Sequence, residues 1–157
     1  MSRSFNLRQR GISLLEVLLS VAIISSILIT ATQYFLKARK DQAINHAVSE
    51  IASVMGALQD WDGGTNNFSG LSSDAILNLY NAGFLPDTTD LQLTPTTGTP
   101  TSAKLMNPWG NEITVVGTTN SATISTQLMS VADCSAVKSN FVSSSCDDDN
   151  NFTCTLQ

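Results

Sequence analysis

Hydrophobic side chains dominate one long stretch near the start of the chain. From Ile12 to Leu36 the residues are predominantly apolar, with Glu16 as the single charged side chain. At about 1.5 Å rise per residue such a helix is roughly 37 Å long, which exceeds a hydrocarbon core of about 30 Å. The pattern therefore predicts a membrane-spanning helix.

The next segment has a different pattern, in which apolar residues recur every three or four positions. This spacing is typical of an amphipathic helix with one packing face. The polar residues largely off that face are Asp41, Asn45, Glu50, Ser53 and Asp60. The two segments together predict one helix from Ile12 to about Trp61, ended by Gly63-Gly64. The residues of the packing face are Ile44, Ala47, Ile51, Val54, Met55 and Leu58.

Short elements are predicted after the long helix. Ser72 or Ser73 is the expected N-cap of a second helix, which ends before Gly83. The Thr-rich residues 88–101 predict a surface loop with one short strand at residues 91–93.

Stronger strand patterns follow this loop. Residues 112–116 and 122–128 are predicted strands, joined by a hairpin connection at residues 117–120. A short helix is expected at residues 131–138 and a last strand at residues 151–157, where apolar and polar side chains alternate.

Size and charge limit the possible functions. The chain has 157 residues, with 13 acidic residues against eight Lys and Arg. Everything after about Trp61 amounts to one small domain. Beyond Lys40 the basic residues are Lys104 and Lys138. Such a surface repels phosphate groups, so we do not expect this domain to bind nucleic acid.

Candidate catalytic and metal sites are weak. The one histidine, His46, lies near the polar side of the long helix, and the cysteines have no CxxC spacing, which argues against zinc or thiol redox chemistry. Asp147, Asp148 and Asp149 lack the alternating ligand spacing of a Ca²⁺ loop and are expected to form a solvated turn. We expect no catalytic residue, metal or cofactor.

The segment before the apolar run identifies a family. A short basic leader ends in Gly11, the one plausible processing site, whereas an ordinary secretory signal is cleaved after its apolar region. The arrangement RQRGISLLEVLLSVAIISSILI, with Glu16 five positions after Gly11, resembles the N-terminus of type IV prepilins. The resemblance implies that a prepilin peptidase cleaves between Gly11 and Ile12 and methylates the new amine of Ile12.

The same resemblance implies a role in assembly for Glu16. Its carboxylate would pair with the Ile12 ammonium of a neighbouring subunit in a filament. Burying two opposite charges together costs far less than burying either alone, so the pair can set the stagger of the subunits. A membrane anchor with a stray glutamate is the alternative.

The fold implied by the resemblance is the α+β type IV pilin fold, in which a long helix packs on a small antiparallel sheet. Residues 1–11 would be the leader peptide. Residues 12–40 would be the transmembrane and filament-core helix, and residues 41–157 the globular head with the amphipathic half of the helix.

The expected function is that of a structural subunit of a type IV pilus, not an enzyme. The prepilin would be stored in the inner membrane and then assembled into an extracellular filament at the cell surface. Implied partners are further copies of the chain, prepilin peptidase, an assembly ATPase, an inner-membrane platform protein and an outer-membrane secretin. The alternatives are a minor pilin, a type II secretion pseudopilin, or a periplasmic binding module or enzyme on an uncleaved anchor.

Two C-terminal features resemble type IVb pilins. One is Asn107-Pro108-Trp109-Gly110, where we expect a structural turn with the indole packed on the long helix. The other is the cysteine region: three cysteines outside the cytoplasm imply one disulfide and one thiol. Alternation points Cys154 inward, so we favour a bond between Cys134 and Cys146, the latter in a polar loop. Pairing of Cys134 with Cys154 is the alternative.

Overall fold

Three helices and six strands make up the described part of the chain. The structure is a computed structural model that describes residues 14–71, 74–88, 90–94 and 99–157. By internal contacts the chain divides into two units, Met1–Lys40 and Asp41–Gln157, and the second is called the head below. The elements are α1 (Leu14–Asp62), α2 (Ala75–Asn81), β1 (Leu91–Thr94), β2 (Ser102–Met106), β3 (Glu112–Gly117), β4 (Ala122–Gln127), α3 (Val131–Lys138), β5 (Ser144–Cys146) and β6 (Asn151–Leu156).

The long predicted helix is present as α1, which is continuous from Leu14 to Asp62. Its end lies within one residue of the predicted one. Gly63 and Gly64 adopt φ values of 56° and 84°, a region that favours glycine. The Asp62 carboxylate accepts a hydrogen bond of 2.7 Å from the backbone N–H of Asn67, which fixes the chain as it leaves the helix.

The strands form one antiparallel sheet with the order β1-β2-β3-β4-β6-β5. The predicted strands at residues 112–116, 122–128 and 151–157 correspond to β3, β4 and β6. The strands β2 and β5 were not predicted from the sequence. β5 has only three residues, two of them serines, and it forms because β6 provides a partner for its backbone. Cys146 therefore ends a strand rather than lying in a loop.

The core lies between the sheet and the second half of α1. Ala47, Ile51, Val54 and Leu58 are buried, as their spacing predicted. Glu50 lies off this packing face, yet only 9% of the residue is exposed. The loop between α2 and β1, including Leu85, Pro86 and Thr88, covers the flank of α1 that carries Glu50. A contact of this kind is set by tertiary structure and not by helical periodicity.

Gly117 belongs to β3 and not to the hairpin connection in which the sequence analysis placed it. The connection closes one residue later, where the backbone N–H of Thr118 donates to the Ser121 carbonyl at 2.7 Å. The Gly117 N–H donates to the Leu71 carbonyl at 3.1 Å, and a Cβ here would lie 2.3 Å from the Phe68 carbonyl oxygen. Glycine is needed because two backbone segments approach closely, not because the chain turns.

The two short helices differ in how they begin. Ser72 and Ser73, the expected N-caps of α2, lie outside the described residues. The structure places Asp74 at the cap position without a side-chain capping bond. α3 has the predicted bounds, and the hydroxyl of its N-cap, Ser130, accepts a hydrogen bond from the backbone N–H of Asp133.

Candidate functional site

The first candidate site is the start of α1. Gly11 and Ile12 lie outside the described residues. Glu16 lies in the first described turn of α1, and its side chain is exposed. The side chains from Leu14 to Lys40 are all exposed in the isolated chain. A continuous apolar surface of this kind marks a site of membrane or protein contact.

Serine and threonine hydroxyls within the apolar stretch donate hydrogen bonds to the helix itself. Ser25 donates its hydroxyl hydrogen to the Val21 carbonyl at 2.7 Å, and Ser26 donates to the Ile23 carbonyl at 2.8 Å. The hydroxyls of Ser20, Thr30 and Thr32 make the same kind of bond to carbonyls three or four residues back. Because these hydroxyls need no water, the helix is suited to an apolar environment.

The apolar stretch ends in basic residues. The guanidinium of Arg39 lies 4.7 Å from the centre of the Phe35 ring, so part of its charge is held against the helix surface. By length and composition α1 is long and apolar enough to cross a membrane. Long basic side chains beside such a span are suited to its boundary with water.

The second feature is the cysteine region of the head. Cys134 in α3 and Cys146 in β5 form a disulfide with a Cα–Cα distance of 6.0 Å. This is the pair that the sequence favoured, and the alternative partner, Cys154, is a buried free thiol. Burial raises the pKa of the Cys154 thiol. The disulfide thus joins α3 to the strand at the edge of the sheet.

The third feature is the turn that contains Asn107. Asn107 is 97% buried, since its exposed fraction is 3%, and its side chain makes four hydrogen bonds. It accepts from the backbone N–H groups of Trp109 at 3.0 Å and Asn111 at 2.9 Å. It donates to the Thr126 hydroxyl at 2.9 Å and the Gln127 carbonyl at 2.8 Å. The side chain therefore ties the turn between β2 and β3 to the end of β4.

A structural turn was expected here from the sequence, with the indole packed on the long helix, but the central role of the asparagine was missed. Gly110 does adopt a positive φ of 81°, and Trp109 is half-buried against the core. An asparagine side chain has two donors and two acceptor sites, so it can fill four positions at once. Asn107 stands directly before Pro108, and an Asn-Pro pair favours the start of a turn, so this pair was the sequence feature that could have indicated its role.

The aspartate run at residues 147–149 forms an exposed turn. The Asp147 carboxylate accepts hydrogen bonds from the side-chain amide and backbone N–H of Asn151, each at 2.8 Å, and from the backbone N–H of Asp149 at 3.0 Å. These bonds, first that of the Asn151 side chain, lower the pKa of Asp147. The carboxylate of Asp147 has a structural role in leading the chain into β6.

Comparison with known proteins identifies the N-terminal segment. Residues 6–32 match the family model described as the prokaryotic N-terminal methylation motif. The chain carries the type IV prepilin signal. No curated protein and no solved structure matches the chain significantly.

The prepilin signal and the fold agree with each other. The match includes Gly11, Ile12 and Glu16, and the long helix, partly apolar and partly packed on an antiparallel sheet, gives the chain a pilin-like α+β architecture. The motif indicates a type IV pilin-like prepilin that a prepilin peptidase processes and points to a structural protein. It also implies the pilus assembly machinery in general, and with the apolar helix it fits a precursor held in a membrane before entering a pilus.

A fourth feature of the chain was not expected from its sequence. His46 and Glu50 lie one turn apart on α1, and Asp90 lies directly before β1. The distance from His46 Nδ1 to Glu50 Oε1 is 3.6 Å, as is that from His46 Nε2 to Asp90 Oδ2. Half of the His46 side chain is exposed, whereas 10% of the Glu50 side chain is. These three residues are called the His46 cluster below.

The Glu50 carboxyl is strongly perturbed by this environment. Burial, then the charge of Asp90 and a hydrogen bond with Asp90, raise the pKa of Glu50 from 4.5 to about 8. The titratable groups that face it are His46 on its own helix and Asp90 across from it. Two carboxyl groups in contact at a buried position favour either a shared proton or a cation.

Proposed function

We propose that the prepilin is a structural subunit of a type IV pilus. The coincidence of the methylation motif with the exposed apolar surface from Leu14 to Lys40 carries this proposal. Cleavage before this surface leaves it on the mature chain. There it serves first as a membrane anchor and then as the contact between neighbouring subunits.

In this proposal residues 1–11 are the leader, residues 12–40 the membrane and filament-core helix, and residues 41–157 the head. Prepilin peptidase cleaves after Gly11 and methylates Ile12. Methylation preserves the positive charge of the amine, so Ile12 can pair with Glu16 of the next subunit.

The remaining machinery belongs to the same proposal. An assembly ATPase and an inner-membrane platform protein extract the subunit from the inner membrane, and an outer-membrane secretin passes the filament to the cell surface. The disulfide of the head supports an extracellular location, because disulfides persist in oxidising compartments.

Mass spectrometry of the protein from its native host tests the processing step. We expect a mature chain that begins with N-methylated Ile12 and lacks two hydrogens because of one disulfide. A chain that retains residues 1–11, in cells whose prepilin peptidase processes other substrates, contradicts the proposal and favours an uncleaved, membrane-anchored domain.

Substitution of Glu16 tests the assembly step. An unpaired charge at a buried site costs about 3–5 kcal/mol, so Glu16→Ala should reduce subunit addition by about a hundredfold or more. Electron microscopy of sheared filaments measures this loss, while processing at Gly11 should be unchanged. Ser20→Ala is the matched control, because it removes an exposed polar group one turn later. Wild-type filament yield from the Glu16→Ala strain would refute the assembly role.

The abundance of the chain in purified filaments separates a major subunit from a minor pilin. As the main subunit it should account for most of the filament protein. A trace stoichiometry, or filaments that persist when the chain is deleted, would assign it a minor or pseudopilin role.

A further inference from the structure

The His46 cluster presents three potential metal ligands from two separate parts of the head. His46 and Glu50 are on α1, and Asp90 is on the segment that leads into β1. One ligand atom from each residue lies within 4.8 Å of the other two. With metal–ligand bonds of about 2.0–2.2 Å in tetrahedral geometry, neighbouring ligand atoms are about 3.3–3.6 Å apart. The two distances of 3.6 Å join the carboxylates to different ring nitrogens of His46. Because one ion binds only one of these nitrogens, the imidazole must turn so that a single nitrogen faces both carboxylates.

Glu50 provides an independent indication of a ligand. Both of its carboxylate oxygens are buried, and no amide, hydroxyl or ring N–H of the described residues donates a hydrogen bond to either one. Buried carboxylate oxygens normally accept hydrogen bonds or bind a cation. Its neighbour Asp90 adds a second acidic group, and when both carboxyl groups are ionised the pair is suited to a divalent cation.

The ligand positions are supported by the fold. Glu50 lies in the second half of α1, next to the buried Ile51, so its backbone is fixed by packing. The Asp90 carbonyl accepts a hydrogen bond of 3.0 Å from the backbone N–H of Met106 in β2, which holds the segment before β1. The imidazole of His46 is half-exposed and can rotate toward an ion.

We propose that the His46 cluster is a binding site for a divalent transition-metal ion of the Zn²⁺ type, which would link α1 to the start of β1. Imidazole is a ligand for zinc and its neighbours, whereas Mg²⁺ and Ca²⁺ take oxygen ligands. Two carboxylates and a neutral imidazole carry two negative charges, which one divalent ion neutralises. The half-exposed histidine leaves a path for the ion to enter and room for a water ligand.

Titration with Zn²⁺ alone tests the proposal on the full chain in detergent micelles under non-reducing conditions. Calorimetry should give one site per chain. Loss of a second-shell partner costs about 10–100-fold in affinity at known sites, so loss of a ligand in His46→Gln, Glu50→Gln or Asp90→Asn should weaken binding at least about tenfold. Asp87→Asn is the matched control, because it removes an exposed carboxylate from the same loop, and it should leave the affinity unchanged.

A second measurement does not depend on whether the variants fold. The chain has a single histidine, so the imidazole ¹⁵N signals of the wild-type protein belong to His46 without further assignment. Zn²⁺ should shift one ring nitrogen by tens of ppm in proportion to occupancy. Absence of saturable binding, His46 signals that do not change, or Zn²⁺ affinity that survives His46→Gln would each overturn the proposal. The last result would place the ion elsewhere, for instance at the exposed aspartates of residues 147–149.

Discussion

Replacement of Asn107 by alanine should destabilise the head more than its small size suggests. The substitution removes four hydrogen bonds of 2.8–3.0 Å from a buried position. A typical intramolecular hydrogen bond contributes about 0.5–1.5 kcal/mol net, so the simple sum is about 2–6 kcal/mol. The contacts around Asn107 show why the expected loss of unfolding free energy lies below the upper end of this range.

Two of the groups that lose a bond have other ways to be satisfied. The Gln127 carbonyl also accepts from the Asn111 side chain at 3.0 Å, and the hydroxyl of Thr126 can rotate. The backbone N–H groups of Trp109 and Asn111 lose their partner, in a turn that is only half-buried. Because water can reach part of this site, we expect a loss of about 3 kcal/mol in the free energy of unfolding of the head.

Thermal unfolding of the full chain in detergent micelles, followed by tryptophan fluorescence, measures this loss. About 3 kcal/mol should lower Tm by roughly 10–20 °C for a domain of this size. Asn111→Ala is the matched control, since it removes one exposed side-chain bond and should cost at most about 1 kcal/mol. If the two variants melt within 2–3 °C of each other, roughly the effect of half a kcal/mol, the central role of Asn107 is refuted.

Further substitutions test separate contacts by the same melting assay. Cys146→Ser removes the disulfide and should lower the free energy of unfolding by about 3 kcal/mol. Adding a reductant to this variant should not lower its Tm further. Gly117→Ala should lower the free energy of unfolding by about 1–3 kcal/mol, because its Cβ would meet the Phe68 carbonyl. The Cβ of Gly56→Ala would have no neighbour within 4 Å, so this variant should raise the free energy of unfolding, by at most about 1 kcal/mol. Glu50 has a pKa raised from 4.5 to about 8, so its stabilising contribution is complete below pH 4.5 and is lost as pH rises to about 8. Between pH 4.5 and about 8, the metal-free wild-type protein should therefore lose on the order of a few kcal/mol of its free energy of unfolding, and the Glu50→Gln variant should not show this loss. Equal pH dependence of Tm in the two proteins would contradict this.

The apolar half of α1 has properties that suit two environments in turn. Its hydroxyls bond to its own carbonyls and its side chains present a continuous apolar surface. A lipid bilayer and a bundle of similar helices are both apolar, so the serine and threonine hydroxyls keep their hydrogen-bond partners when the helix passes from one to the other. The same helix is therefore compatible with storage in a membrane and with assembly.

Features that depend on neighbouring residues were accessible from the sequence. The prepilin motif around Gly11 and Glu16 is a local pattern, and the length of the apolar run follows directly from residue types. The single helix with its end near Gly63 and the strands β3, β4 and β6 have their own periodicity. Local hydrogen bonding and alternation of side chains are sufficient to specify such elements.

The remaining features were decided by tertiary structure. β5 exists because β6 offers its edge, and Gly117 is required because residues 68–71 pass against it. Asn107 gains its role from the end of β4, which lies about 20 positions further along the chain. Glu50 lies off the apolar stripe of α1, yet a distant loop buries it and brings Asp90 into contact with it. Helical periodicity reports which residues share a face, whereas burial also depends on which other segments cover that face.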